Sequence, residues 1–439
     1  MEPSTEPEIT SEVQGSPSGE PQIPARGDEM MISTIVRLPL YIRDANKDLF
    51  EPRVISIGPY HRGNVSTHEM EAHKEHFLRS FLQRPGNVDH QPHIDIAEIT
   101  SSCIAQARRC YSENMVDDYT AEMLMVDGCF IIELLLRWKE GKVNADKHVR
   151  LMWNNIYYDL LLIDNQIPFF VLDKLFGYFK ERTAFEDDLL HLVVNFFVHD
   201  GQFSWAKFNP EDLPMADQVC HLLDLQHKLA MHSNTGFEPK LNTCPFMCRI
   251  DIIRPSPMPR GIPGAKELKD YGVRFKKDKE RKKFHVTFQG NTMTIPCLQI
   301  NSGSKILLTN LFAYDQIEGQ RGNKFGAVTS YVVLMNALIQ TGDDVLVLQQ
   351  KGILEKDPLL NENEVASFFN ELGRCAFVDV NKPEFTEIFD NVNRFRWKLC
   401  DKIRYYVRNH SLRLAAIYAL IFLFITMFYT IRIYYRVHG

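Results

Sequence analysis

Apolar positions along the chain recur mostly at helical spacing. Met70, Phe77, Leu78, Phe81 and Leu82 form one stripe, while His68, Glu71, Glu75 and Arg79 are left to face water. Ser66 and Glu69 have the spacing of a capping box, and Val65 and Met70 that of a hydrophobic staple. The spacing therefore predicts a helix starting near residue 66.

Residues 96–112 and 116–138 read as two further helices. The second contains AEMLMVDGCFIIELLLRW, apolar nearly all round, and predicts a central core helix. Residues 151–179 form an apolar block broken by Asp164-Asn165-Gln166 and Pro168. That pattern predicts two helices meeting, with Pro168 near the start of the second. Further helices are expected over 186–199, 215–231, 265–271, 305–318, 324–340, 343–350 and 362–374, with a long one from about Pro383 onward. Phe284–Phe288 and Met293–Ile300 flank Gly290-Asn291 and predict a β-hairpin, the one convincing strand signal. Residues 36–61, punctuated by Pro39, Pro52 and Pro59, read as extended and turn-rich chain. There is no internal repeat.

The expected fold class is mainly α: a large helical body with a small β-hairpin, plus one C-terminal transmembrane helix. The organisation follows from the pattern. Residues 1–35 are an acidic tail rich in Pro, Glu, Ser and Gly, expected to be disordered. No cleavable signal peptide is visible in it. Residues 36–232 are the helical N-terminal part, 233–264 a loop or linker with six prolines, and 265–393 the helical C-terminal part with the hairpin. Residues 394–413 are a basic juxtamembrane segment, 414–431 the span, and 432–439 a short tail.

The span Leu414–Ile431 has eighteen residues and no charge. At about 1.5 Å per residue it covers roughly 27 Å, close to a bilayer core. Tyr405, Tyr406, Tyr429, Tyr434 and Tyr435 fall near its ends, where interfacial aromatics belong. Lys402, Arg404, Arg408 and Arg413 precede it, against Arg432 and Arg436 after it. The positive-inside tendency places the body in the cytosol; the plasma membrane is the expected location. The sequons Asn64-Val65-Ser66 and Asn409-His410-Ser411 matter only for a body outside the cytosol.

Composition changes this picture in one respect. Over 439 residues the net charge is −6, yet residues 1–29 hold seven acids and one base and so carry all of it. Arg394–Arg413 mirrors it with seven bases and one acid. An acidic chain argues against nucleic acid as a partner. The basic run Arg274–Lys283 holds a single aromatic, Phe275, and reads as a solvated lead into the hairpin. Nine scattered cysteines are ordinary intracellular usage.

Motifs for chemistry are missing. No G-x-S-x-G elbow, Walker loop or G-x-G-x-x-G is present. His68-Glu69 and His73 miss the zinc-protease spacing by one residue, and His73 with His76 lacks an evident third ligand. Cys244 and Cys248, with His221, His227 and His232 upstream, supply only one ligand pair of the kind zinc sites use. The expectation is no catalytic residue, no cofactor and no metal. Asp127 and Glu133 in the most apolar helix, and Asp164, are read as structural carboxylates satisfied by backbone N–H groups or cations.

Several blocks in order resemble the plant family called domain of unknown function 247. They include Arg53-Val54-Ile55-Ser56-Ile57-Gly58-Pro59-Tyr60-His61, Met70-Glu71-Ala72-His73-Lys74, Asp127-Gly128-Cys129-Phe130 and Asp164-Asn165-Gln166-Ile167-Pro168-Phe169. Later come Ala265-Lys266-Glu267-Leu268, Gly272-Val273-Arg274-Phe275, Asn310-Leu311 and Asp343-Asp344-Val345. The resemblance implies a helical body with one C-terminal membrane helix and no transferable catalytic residues. Some grass members of that family resemble pollen-side determinants of self-incompatibility. One departure is Arg408-Asn409-His410-Ser411, where members often carry Pro-Trp.

Three functions compete on these grounds. The first is a membrane-anchored, non-enzymatic recognition or signalling protein with an unidentified protein partner. The second is a membrane-bound hydrolase or transferase using the His61 region or the Asp164-Asn165-Gln166 break. The third is a lipid-surface scaffold using the basic segment. The residues singled out for interaction or structure are Ser56, Gly58, Pro59, Tyr60, His61, Asp127, Asp164, Asn165 and Gln166, with Lys402, Arg404, Arg408 and Arg413 at the membrane surface.

Overall fold

The helix expected at the core lies at the centre of the fold, with twelve of its residues buried. A computed structural model describes residues 33–84, 91–112, 118–143, 146–199, 213–232, 261–278, 284–320, 326–375 and 383–438. Its N-terminal helices are α1 (Leu40–Ala45), α2 (Lys47–Phe50), α3 (His68–Leu82), α4 (Pro92–Arg109) and α5 (Ala121–Lys139). Then come α6 (Lys147–Asp159), α7 (Phe169–Glu181), α8 (Leu189–His199) and α9 (Leu222–His232). The C-terminal part holds α10 (Ala265–Asp270), α11 (Ser302–Gln320), α12 (Ala327–Leu338), α13 (Gly342–Gln350), α14 (Glu362–Arg374) and α15 (Pro383–His438).

Helix α5 is the hub of the first half: α3, α4, α7 and α8 all pack on it. Helix α11 plays that part in the second half and touches α2, α6, α9 and α12. Residues 33–439 accordingly form one compact unit.

The helix starts differ in detail from the capping pattern. A short 3-10 turn, Val65–Thr67, precedes α3, whose cap is Thr67 without a side-chain bond. Ser66 instead donates its hydroxyl to the Pro52 carbonyl, tying the helix entry to the loop before it. The stripe on α3 is buried as expected, but Lys74 is buried with it. Residues 36–61 are also less extended than Pro punctuation implied. Pro39 caps α1, consistent with the fixed φ of proline suiting a helix start.

The expected hairpin is present. Strands β2 (Thr287–Gln289) and β3 (Thr292–Ile295) pair antiparallel across Gly290, which has φ +65°. Two short strands were not legible, and residues 298–300, expected as the end of the hairpin's second strand, form a separate one. β1 (Arg274–Lys277) runs parallel to β3, so part of the basic run is a sheet edge. Charged edges resist unwanted strand pairing. β4 (Leu298–Ile300) pairs parallel with β5 (Leu354–Lys356).

Helix α15 runs 56 residues, about 84 Å at 1.5 Å rise. No proline follows Pro383, so nothing breaks it. Among the described residues no single helix is long and apolar enough to cross a membrane; the apolar stretch described is Ile417–Ile433. The expected span 414–431 therefore stands only in part, because the side chains of residues 414–416 lie outside the described ones. So do those of Lys402, Arg404, Arg408 and Arg413, and all of residues 1–32 and 233–260 with Cys244 and Cys248.

Candidate functional site

Two polar loops meet inside an apolar core. One is residues 53–62, between α2 and α3. The other is residues 159–168, between α6 and α7. Neither has a regular backbone partner, so the buried N–H and C=O groups must be met by side chains. Of the residues singled out from the sequence, Asp127, Asn165 and Gln166 meet them.

Asp159, at the end of α6, accepts from the backbone N–H groups of Arg53, Val54 and Ile55 at 2.8–3.0 Å. Asn165 accepts from Ile57 N at 2.7 Å and donates to the carbonyls of Ile55 and Asp159. Gln166 donates to the Leu160 and Leu162 carbonyls, at and just past the end of α6, and accepts from Leu223 N. Asp127 accepts from Gly58 N at 2.9 Å, from the Tyr119 hydroxyl at 3.1 Å and from Lys74 Nζ at 2.7 Å. Lys74 also donates to the Ser56 carbonyl at 2.8 Å and pairs with Glu71. Tyr111 donates its hydroxyl to the Gln166 carbonyl, and Tyr60 stacks edge-on against Tyr111.

His61 and Asp164 also meet. His61 Nε2 lies 2.7 Å from Asp164 Oδ1, with the two side chains 2% and 0% exposed. His61 Nδ1 faces the Asn64 amide nitrogen at 3.4 Å. An amide N–H there makes Nδ1 the acceptor, so the ring proton sits on Nε2 and is donated to Asp164. Both ring nitrogens are thus engaged within the protein. Burial with both nitrogens occupied suits a structural clamp better than a general base, which needs one nitrogen turned to a substrate.

A cavity among the described residues lies elsewhere. It has a volume of about 340 Å³ and is lined by apolar residues such as Leu38, Ile42, Phe50, Phe312, Phe368 and Leu372. Neither His61 nor Asp164 borders it. The buried thiols are poor nucleophiles as well. Burial pushes Cys129 well above the usual thiol range, and burial with the nearby Asp224 carboxylate pushes Cys220 up to about 12.

The other candidates are absorbed into the body. Glu133 takes Arg84 at 2.5 Å and Arg137 at 2.8 Å. His227 bonds Asp315 at 2.6 Å, and His221 stacks on Tyr314. Pro59 turns the first loop after Gly58, and Ser56 contributes its carbonyl. Two key residues escaped sequence reading. Lys74 occupies a stripe position, where a lysine reads only as an interruption. Asp159 sits inside an apolar block, five residues before the acid that drew attention.

Asp159 yields a pH prediction. Burial raises its carboxyl to about 6 despite the backbone donors. An unfolded aspartate titrates near 3.9. The folded state therefore holds the proton more tightly between those values. The contribution is fully present below about 4 and is lost as pH rises through about 6, by on the order of 2–3 kcal/mol. Urea midpoints measured at pH 4.5 and 6.5 should fall with pH more steeply in the wild type than in Asp159→Asn. Equal slopes would refute this.

The comparisons agree with the motif blocks. The UPF0481 protein At3g47200 of Arabidopsis thaliana is 26% identical over 381 residues, covering 83% of this chain and 77% of that protein. A second Arabidopsis thaliana relative, UPF0481 protein At3g02645, is 25% identical over 457 residues, covering 85% and 84%. No solved structure matches. The profile described as plant protein of unknown function matches residues 35–425, which takes in both loops of the clamp and most of the apolar end of α15. The chain belongs to this plant family, DUF247.

Proposed function

We propose that the chain is a membrane-anchored recognition or signalling protein, with a helical body in the cytosol and a protein as its partner. The observation that carries the reading is the end of α15. Its large apolar side chains from Ile417 to Ile433 are 46–72% exposed on every face. Water would penalise such a surface at roughly 25 cal/mol per Å², whereas lipid would not. The hydroxyls in this stretch are satisfied within the helix: Thr426 donates to the Leu423 carbonyl and Thr430 to that of Thr426. That is the requirement for polar groups in hydrocarbon. The described stretch covers about 25 Å, and extending it to Leu414 approaches the bilayer core.

A cytosolic body is supported by the charge asymmetry around the span. It is supported also by Asn64, a sequon residue that is half-buried with its amide against His61 and so poorly placed for a glycan. A pollen-side role in self-incompatibility is the sharpest form of the reading, and it comes from the family resemblance alone. The recognition reading is supported by the occupied clamp and by a cavity that neither His61 nor Asp164 borders.

Sealed microsomal vesicles test the topology. External protease should digest the body and leave a short protected C-terminal fragment, lost when detergent opens the vesicles. A body that survives until detergent is added would reverse the orientation. Release of the intact protein by alkaline carbonate would remove the anchor altogether. The His61–Asp164 contact favours the hydrolase reading as the second one. A folded His61→Gln variant that kept membrane association but lost the biological phenotype would promote it.

A further inference from the structure

The first turns of α3 and α6 bring together two imidazoles and a carboxylate at the surface. Glu69 and His73 lie one turn apart on α3, so they share a face. His148 comes from α6, seventy-five residues after His73. Its place is fixed by the helix start, where Asp146 accepts from His148 N at 3.0 Å and from Val149 N at 3.2 Å. The ligating atoms of the three side chains all lie within 4.8 Å of one another. The His73 and His148 rings are 5.0 Å apart between centroids, and His148 Nδ1 is 3.9 Å from Glu69 Oε1.

We propose that Glu69, His73 and His148 form a surface binding site for a divalent transition-metal ion of the zinc class. Two imidazoles and one carboxylate are the donor set that such borderline ions take, and that calcium or magnesium, which prefer oxygen, does not. In a tetrahedral site with bonds near 2.0–2.1 Å, donors stand roughly 3.4 Å apart. The observed separations exceed that by no more than about 1.4 Å, which the exposed side chains of Glu69 and His148 can close by χ rotation. A simple ion pair explains the Glu69–His148 approach but gives no reason for a second imidazole beside the first. Three protein donors leave a zinc ion at least one open position, for water or for a donor from a docked partner. The site is separate from the clamp, and its occupancy stands or falls apart from membrane anchoring.

The test is zinc binding to the detergent-purified full chain, measured by competition with a chromophoric chelator. The wild type should bind one equivalent more than H73A/H148A, and H148A alone should weaken that equivalent about tenfold or more. Cobalt(II) in its place should show d–d absorption without a thiolate charge-transfer band. That signal should disappear in H73A/H148A and persist in C244S/C248S. Because the ligands are at the surface, the metal-free variants should keep the wild-type urea midpoint, so a loss of binding cannot be a loss of fold. Equal stoichiometry in the wild type and H73A/H148A, or a cobalt signal that vanishes only in C244S/C248S, overturns the proposal.

Discussion

Lys74→Met is expected to destabilise the body by about 3–5 kcal/mol, the cost of leaving a buried charge without its partner. Lys74 is fully buried, donates to the Asp127 carboxylate and the Ser56 carbonyl, and forms an ion pair with Glu71. Methionine fills much of the same volume, so little of the loss is cavity formation. What remains is Asp127, also fully buried, with only Gly58 N and the Tyr119 hydroxyl in hydrogen-bond range. Arg62 stands 3.7 Å from it, an ion pair beyond hydrogen-bond distance. Since folded proteins have about 5–15 kcal/mol in total, this single change consumes a large share. Pulse proteolysis in urea on the full chain reads it directly. Lys147→Met, at an exposed position on α6, is the control and should move the midpoint by less than about 0.5 kcal/mol. A Lys74→Met midpoint within that same margin would mean the ion pair contributes nothing.

Why Lys74 went unread bears on how much of this fold the chain displays. The longer helices were legible because each carries its own 3.6-residue period, whereas α1 and α2, six and four residues long, are too short to show one; α5 could be placed at the centre because it is apolar nearly all round. The break at Asp164-Asn165-Gln166 was legible for a local reason too: polar residues beside a proline end a helix, and here their side chains do cap α6. Strands β1, β4 and β5 have three or four residues each and no internal period. Their pairing depends on partners far away, such as Leu298 with Leu354. Side-chain partnerships across the core have the same property. Lys74 acquires meaning only from Asp127 fifty-three residues later, and His73 only from His148. The sequence displays the elements that hold themselves together and hides those that exist through contact.

Gly58→Ala is expected to cost about 3–5 kcal/mol, in the range reserved for strain and broken buried networks. Two effects combine. Gly58 has φ +76°, a left-handed conformation that costs an L-residue roughly 1–2 kcal/mol. In addition, a Cβ there would stand 2.5 Å from the Gln166 carbonyl oxygen and 3.1 Å from the Tyr111 hydroxyl. That oxygen cannot retreat cheaply. Gln166 is held by its own side-chain bonds to Leu160, Leu162 and Leu223, and its carbonyl accepts from Tyr111. Relief must come from the loop, which would pull Gly58 N from Asp127 and loosen the acceptor that Lys74 shares. Gly63 separates the two effects. It has φ +83°, but a methyl group on its Cα would meet nothing within 4 Å, so Gly63→Ala should cost only the conformational part, roughly 1–2 kcal/mol. The difference between the two variants, read as urea midpoints of the full chain, isolates the close approach of the two loops. Should Gly58→Ala prove no worse than Gly63→Ala, the loops are not locked together at this point, and the clamp is looser than its hydrogen bonds imply.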